Sequence, residues 1–190
     1  MKKSLFTLAL LATVAACSAP AENAAEGANN EDSMVAAEGA ALEGPALFAD
    51  LGGEAQNPIY TENIGDTLAV RGYDVVSYFV GDGTPTVGNE DLTVRYDGFD
   101  YRFANEDNAK AFVENPAKYA PAYGGYCAWA IGANDALAPG DPEVFEIVDG
   151  KLYLNFNKDV QANWEKDIPG FIEKGDVNYP THSADEHFKS

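Results

Sequence analysis

The sequence predicts an α+β fold: two β-hairpin–helix units, the second a repeat of the first, packed as one small domain behind a disordered tether. Three observations predict it. Asp97-Gly98 and Asp149-Gly150 each divide a run of β-branched and aromatic residues, Leu92 to Phe103 and Val144 to Phe156. Asp-Gly accepts the positive φ of a type I′ turn, so each run reads as a two-residue hairpin. Each hairpin is followed by an asparagine able to cap a helix, Asn105 or Asn157. The two units also align at a constant offset of 52, which sets Tyr101 on Tyr153, Asp107 on Asp159 and Phe112 on Trp164.

The chain before these units reads as an address. Lys2 and Lys3 precede an apolar run from Leu5 to Val14, and small residues lead to Cys17. That is the grammar of a signal peptide over residues 1–16. The run is shorter than the ~20 apolar residues that span a bilayer. Val14-Ala15-Ala16-Cys17 resembles a bacterial lipobox, which makes Cys17 the lipidation site and the membrane the partner of the anchored chain. Ser18 follows it where Asp would signal retention, matching an outer-membrane address facing the periplasm. Residues 17–56 are rich in Ala, Gly, Asn and Glu, and no Lys or Arg occurs between Lys3 and Arg71. Such a segment buries too little apolar surface to offset its ordering entropy, so it is expected to be a disordered acidic tether. A flexible chain of that length reaches about 35 Å.

Residues 57–180 carry the patterning of a folded core, and 181–190 read as a polar tail. The first helix should stop before Pro116, and the second should break or bend near Pro169. One irregularity stands out. The apolar alternation runs through Phe99, Tyr101 and Phe103 in the first unit, but through Leu152, Leu154 and Phe156 in the second. The two faces are out of phase by one residue, which calls for a bulge or a different packing partner. With 31 acidic against 12 basic residues, the net charge of −19 argues against binding nucleic acid or an anionic lipid face. No calcium loop, P-loop, dinucleotide fingerprint or HExxH motif is present.

Chemistry concentrates on Cys127. The chain has two cysteines, and with Cys17 in the export signal, Cys127 is a lone thiol in an exported protein. Gly124 and Gly125 precede it, as residues that let backbone pass close to the sulfur. Tyr123, Tyr126 and Trp129 crowd round it, and the stretch that follows suggests a helix start. Backbone N–H groups there favour a thiolate, so the expectation is an acidic thiol open to small oxidants or soft metals. The alternative is a small buried hydrophobe in a non-catalytic binding or scaffolding domain. Tyr73 and Asp74 are the further binding candidates, Asp74 being the acid to watch near the thiol, with structural pairing its competing role. The only histidines, His182 and His187, lie in the polar tail, which argues against a Cys-His hydrolase. No resolving cysteine exists for thioredoxin-type exchange, so redox work would rely on an outside thiol or partner protein. Copper or zinc on Cys127 is the metal reading, with few nitrogen ligands to support it. His182, Asp185, Glu186 and His187 form a second, weaker metal candidate, set against a disordered tail.

Tyr101-Arg-Phe-Ala-Asn-Glu-Asp-Asn-Ala-Lys-Ala-Phe112 followed by Asn115-Pro-Ala-Lys-Tyr119 resembles the YHS domain. The longer pattern is similar to the exported bacterial branch of that family. It comprises Arg71-Gly-Tyr-Asp-Val-Val-Ser-Tyr-Phe79, Tyr119-Ala-Pro-Ala-Tyr-Gly-Gly-Tyr-Cys-Ala128, Val148-Asp-Gly-Lys-Leu-Tyr-Leu-Asn-Phe156 and Asp176-Val-Asn-Tyr-Pro180. The resemblance covers the folded part and none of the tether. It implies a metal-binding cysteine pair at the positions of Ala104 and Asn108, where this chain has no thiol. Some members of the exported branch resemble selenoproteins with selenocysteine at the position of Cys127, which implies a chemically active chalcogen there.

Overall fold

The structure is a computed structural model and describes residues 47–188. The expected signal peptide, the lipidation site at Cys17 and the tether up to residue 46 lie outside the described residues. Strand β1 (Ala49–Asp50) pairs in parallel with β2 (Asn89–Tyr96), which pairs antiparallel with β3 (Phe99–Phe103). Strands β4 (Asp141–Val148) and β5 (Lys151–Asn155) form a separate antiparallel pair. Both hairpins turn on Asp-Gly with positive φ at each turn residue: 51° and 85° at Asp97 and Gly98, 50° and 76° at Asp149 and Gly150. The predicted α+β architecture is the observed one.

A side chain at either turn glycine would meet nothing within 4 Å, so its cost is conformational alone. Gly98→Val and Gly150→Val should each destabilise by about 1–2 kcal/mol, the cost of holding a non-glycine residue left-handed. Thermal melting should show similar losses for the two. An unchanged melting temperature in either variant would mean that its turn does not hold the hairpin.

Helix α1 (Glu106–Glu114) is capped by Asn105, whose side chain accepts the Asn108 N–H at 2.9 Å. It stops before Pro116, which opens the short α2 (Pro116–Tyr119). Helix α3 (Ala128–Asn134) begins after Cys127. Helix α4 (Lys158–Trp164) is capped by Asn157, which accepts the Val160 N–H at 2.9 Å. Pro169 lies in the first turn of a new helix, α5 (Ile168–Asn178), whose cap Asp167 accepts the Gly170 N–H at 3.1 Å. The proline therefore starts a helix, where its missing N–H leaves no bond unmade.

Two apolar clusters hold the domain. One gathers Val70, Val75, Val94, Tyr101, Phe103 and Phe112, and the other Tyr60, Tyr123, Tyr126, Ile131, Tyr153 and Trp164. Leu152 and Leu154 of β5 join the first cluster while Tyr153 joins the second, so β5 is buried on both faces. This resolves the phase difference. Tyr101 and Tyr153 are both buried at equivalent positions, and both ladders shift register at equivalent places, Asn89/Thr93 and Asp141/Phe145. The leucines alternate out of phase because they serve the other half's core.

Two expected boundaries need correction. The ordered chain begins before residue 57: the Phe48 N–H donates to Thr93 O at 2.8 Å, and the Ala55 N–H to Asp97 O at 3.1 Å. An edge strand can be recruited from a polar segment because its affinity lies in the backbone. The tail is not disordered through residue 188 either. His187 Nε2 lies 3.0 Å from Thr61 O, Asn57 Nδ2 donates to His182 O at 3.0 Å, and the Phe188 ring packs 5.7 Å from Tyr60. His182 faces two carboxylates, Asp135 and Glu186, each at 3.1 Å.

Candidate functional site

Cys127 is delivered by a left-handed turn. Tyr123 and Gly124 hold φ/ψ of 54°/34° and 59°/18°, and Gly125 has φ 83°. The Cys127 N–H then donates to Ala138 O at 2.9 Å, and its carbonyl accepts the Ile131 N–H at 3.1 Å, which starts α3. The expected position at a helix start is the observed one. The thiol is fully buried and donates to Asn155 Oδ1 at 3.7 Å. The backbone amides of Ala130, Phe156 and Trp129 lie near the sulfur and favour its anion, while the Trp129 N–H itself donates to Asn155 Oδ1 at 3.3 Å.

The expected acidity is not borne out. Burial pushes the Cys127 thiol above its ordinary value, and the three amides oppose this without overcoming it. The contest is decided by enclosure, since an enclosed sulfur loses the water that would solvate its anion.

The flanking glycines do a different job from the expected one. A Cβ on Gly124 would lie 2.3 Å from Pro58 O, and one on Gly140 would lie 2.2 Å from Gly125 O. The glycine pair admits neighbouring backbone at Pro58 and Gly140. Tyr126 is fully buried, stacks edge-on against Tyr60 at 5.5 Å, and leaves its hydroxyl without a partner.

Tyr73 and Asp74 lie in the first unit's crossover. The Tyr73 hydroxyl donates to Glu143 Oε1 at 3.0 Å. Asp74 is fully buried, with Oδ1 accepting the N–H groups of Val76 at 2.8 Å and Ser77 at 3.2 Å. Its Oδ2 accepts the Ala104 N–H at 2.9 Å and Asn108 Nδ2 at 2.6 Å. No hydrogen bond joins Asp74 to Cys127, so pairing within the first unit is what the acid does. Its two Oδ2 partners are the positions at which the resemblance places metal-binding cysteines, and here a carboxylate ties them together.

Copper or zinc finds no adequate donor set. Among the described residues, no three His, Cys, Asp or Glu side chains converge as ligands, at Cys127 or in the tail. Around Cys127 the polar neighbours are amide groups, which suit neither metal. Asn155 is the site residue that the sequence reading passed over. Its signal was an asparagine closing an apolar strand, where the first unit has Phe103. No family model matches the chain, and no curated protein or solved structure shows significant similarity to it.

Proposed function

We propose that this chain is a lipid-anchored module of the bacterial envelope, of YHS type, whose working group is Cys127 acting as a single-thiol redox centre. The observation that carries the reading is the set of groups round the sulfur: the nearby backbone amides of Trp129, Ala130 and Phe156, and the buried Asn155 carboxamide, whose Oδ1 accepts from the thiol at 3.7 Å. Amide donors favour an anionic sulfur or an oxygen bound to it over a neutral thiol. With no second cysteine in the folded part, an outside thiol resolves the oxidised sulfur: it attacks the sulfenic acid, forms a mixed disulfide and releases water. That partner is a small thiol or a protein. The anchor at Cys17 holds the domain at the outer membrane, and the net charge of −19 leaves nucleic acid outside its range of partners.

A second reading, a non-catalytic binding or scaffolding domain in which Cys127 only packs, is favoured by the complete burial of the thiol. Native-state labelling separates the two. In a full-length Cys17→Ser chain, Cys127 is the only thiol, and a small aromatic disulfide should modify it without denaturant. Labelling seen only after unfolding would decide for the packed cysteine. The same variant tests the address, since Cys17→Ser should release the chain from the membrane or leave it unprocessed; normal membrane partition with unchanged mass would remove the anchor.

A further inference from the structure

The repeat extends beyond the hairpins into the crossovers that precede them. Val70, Arg71 and Gly72 form a left-handed turn with φ of 50°, 51° and 77°, as Tyr123, Gly124 and Gly125 do with 54°, 59° and 83°. Here the offset is 53, one more than in the hairpins. The Tyr73 N–H donates to Val70 O at 3.0 Å, and the Tyr126 N–H to Tyr123 O at 3.0 Å. Tyr73 bridges Val87, and Tyr126 bridges Pro139. The Asp74 N–H donates to Thr86 O at 2.8 Å, and the Cys127 N–H to Ala138 O at 2.9 Å. Gly88 presses on the Arg102 backbone, and Gly140 packs against Gly125 and Leu154. Residue for residue, Cys127 is the counterpart of Asp74.

Their surroundings correspond as well. Asp74 accepts the N–H groups of residues two and three positions on, Val76 and Ser77, and of Ala104 beyond the hairpin. The backbone amides of Trp129, Ala130 and Phe156 lie near the sulfur of Cys127 and occupy the same three places, the Trp129 N–H donating to Asn155 Oδ1 at 3.3 Å beside it. In the first unit an asparagine completes the set, with Asn108 Nδ2 donating to the carboxylate at 2.6 Å. In the second, Asn155 reaches the sulfur from the strand. Asn155 is fully buried, its Oδ1 meets the thiol, and its Nδ2 has no partner. A buried amide N–H₂ without an acceptor is costly, and half a turn of the carboxamide would present it to an oxygen carried by the sulfur.

We infer that Cys127 occupies an oxyanion cradle whose substrate is a hydroperoxide and whose product is a cysteine sulfinate held as Asp74 is held. This rests on the redox reading above and adds the oxidant. A sulfenate reached by the outside thiol returns to the thiol, and one met first by a second hydroperoxide ends as the sulfinate, which a thiol does not resolve. The sulfur attacks the distal peroxide oxygen, an S–O bond forms and the O–O bond breaks. The departing oxygen takes up the thiol proton and leaves as water or an alcohol. Sulfur loses two electrons and the peroxide gains them, giving the sulfenate level. A second hydroperoxide repeats the transfer and gives the sulfinate, which presents two oxygens to the cradle as a carboxylate does.

The test uses the full-length Cys17→Ser chain and hydrogen peroxide. Intact mass and peptide mapping should show two oxygen atoms added at Cys127 in the native state, with a melting temperature at least as high as before. Cys127→Asp, which builds the first unit's carboxylate into the second, should melt above Cys127→Ala. The inference is overturned if peroxide leaves native Cys127 unmodified, if oxidation to the sulfinate lowers the melting temperature, or if Cys127→Asp melts below Cys127→Ala. If the aromatic disulfide still labels native Cys127 while peroxide adds no oxygen, the cradle is wrong and the redox reading survives. If neither reagent reaches the native thiol, both fall.

Discussion

Asp74→Ala is expected to cost about 3–5 kcal/mol of folding stability, because it leaves several buried donors without an acceptor. Val76 N–H, Ser77 N–H, Ala104 N–H and Asn108 Nδ2 all end on this carboxylate, which is fully enclosed. Water cannot take over these bonds without opening the core around Val75 and Val76. At roughly 4 °C per kcal/mol for a domain of this size, melting should fall by about 12–20 °C. Asp74→Asn should cost less, about 1–3 kcal/mol, since it keeps one acceptor oxygen and the Asn108 amide can turn to meet it. The Ala104 N–H would still face a donor. A melting temperature within a few degrees of the parent in Asp74→Ala would show that the four bonds do not tie crossover, strand and helix together.

The same residue shows what the sequence could and could not disclose. Both hairpins and both caps were legible because Asp97-Gly98, Asp149-Gly150, Asn105 and Asn157 carry local signals, each dictated by backbone conformation within a few residues. The equivalence of Asp74 and Cys127 was hidden by a one-residue change of offset, from 53 in the crossovers to 52 in the hairpins. A repeat sought at constant spacing sets Tyr126, not Cys127, against Asp74. Burial of the thiol was not legible either, because aromatic and glycine neighbours suit an open reactive site as well as a core. The tail misled for a related reason. His182, His187 and Phe188 look solvated one by one, and only their partners Asp135, Thr61 and Tyr60, distant in sequence, show the segment pinned. The double burial of β5 was announced by its leucines, yet which core they serve is a matter of tertiary packing.

Gly124→Ala is expected to cost about 2–5 kcal/mol, from left-handed strain and overpacking acting together. Gly124 holds φ +59°, and a Cβ there would lie 2.3 Å from Pro58 O, 2.7 Å from Tyr179 Oη and 3.0 Å from Ile59 Cα. These atoms cannot easily move apart. The Tyr60 N–H donates to Gly124 O at 2.9 Å, and the Tyr179 hydroxyl donates to Pro58 O at 2.8 Å. One methyl group would therefore strain the junction between the segment at Pro58, the crossover leading to Cys127 and the end of α5. The repeat supplies an internal control. Arg71 occupies the equivalent place with φ 51° and carries a full side chain, so the turn itself tolerates a Cβ. Arg71→Ala keeps the strain and adds no crowding; it removes the guanidinium near Glu62 and Tyr60, a partly exposed pairing worth about 1 kcal/mol or less. Gly124→Ala should thus melt well below Arg71→Ala. Equal melting temperatures for the two would mean that the close approach at Pro58 relaxes without cost, and that Gly124 is required for its conformation alone.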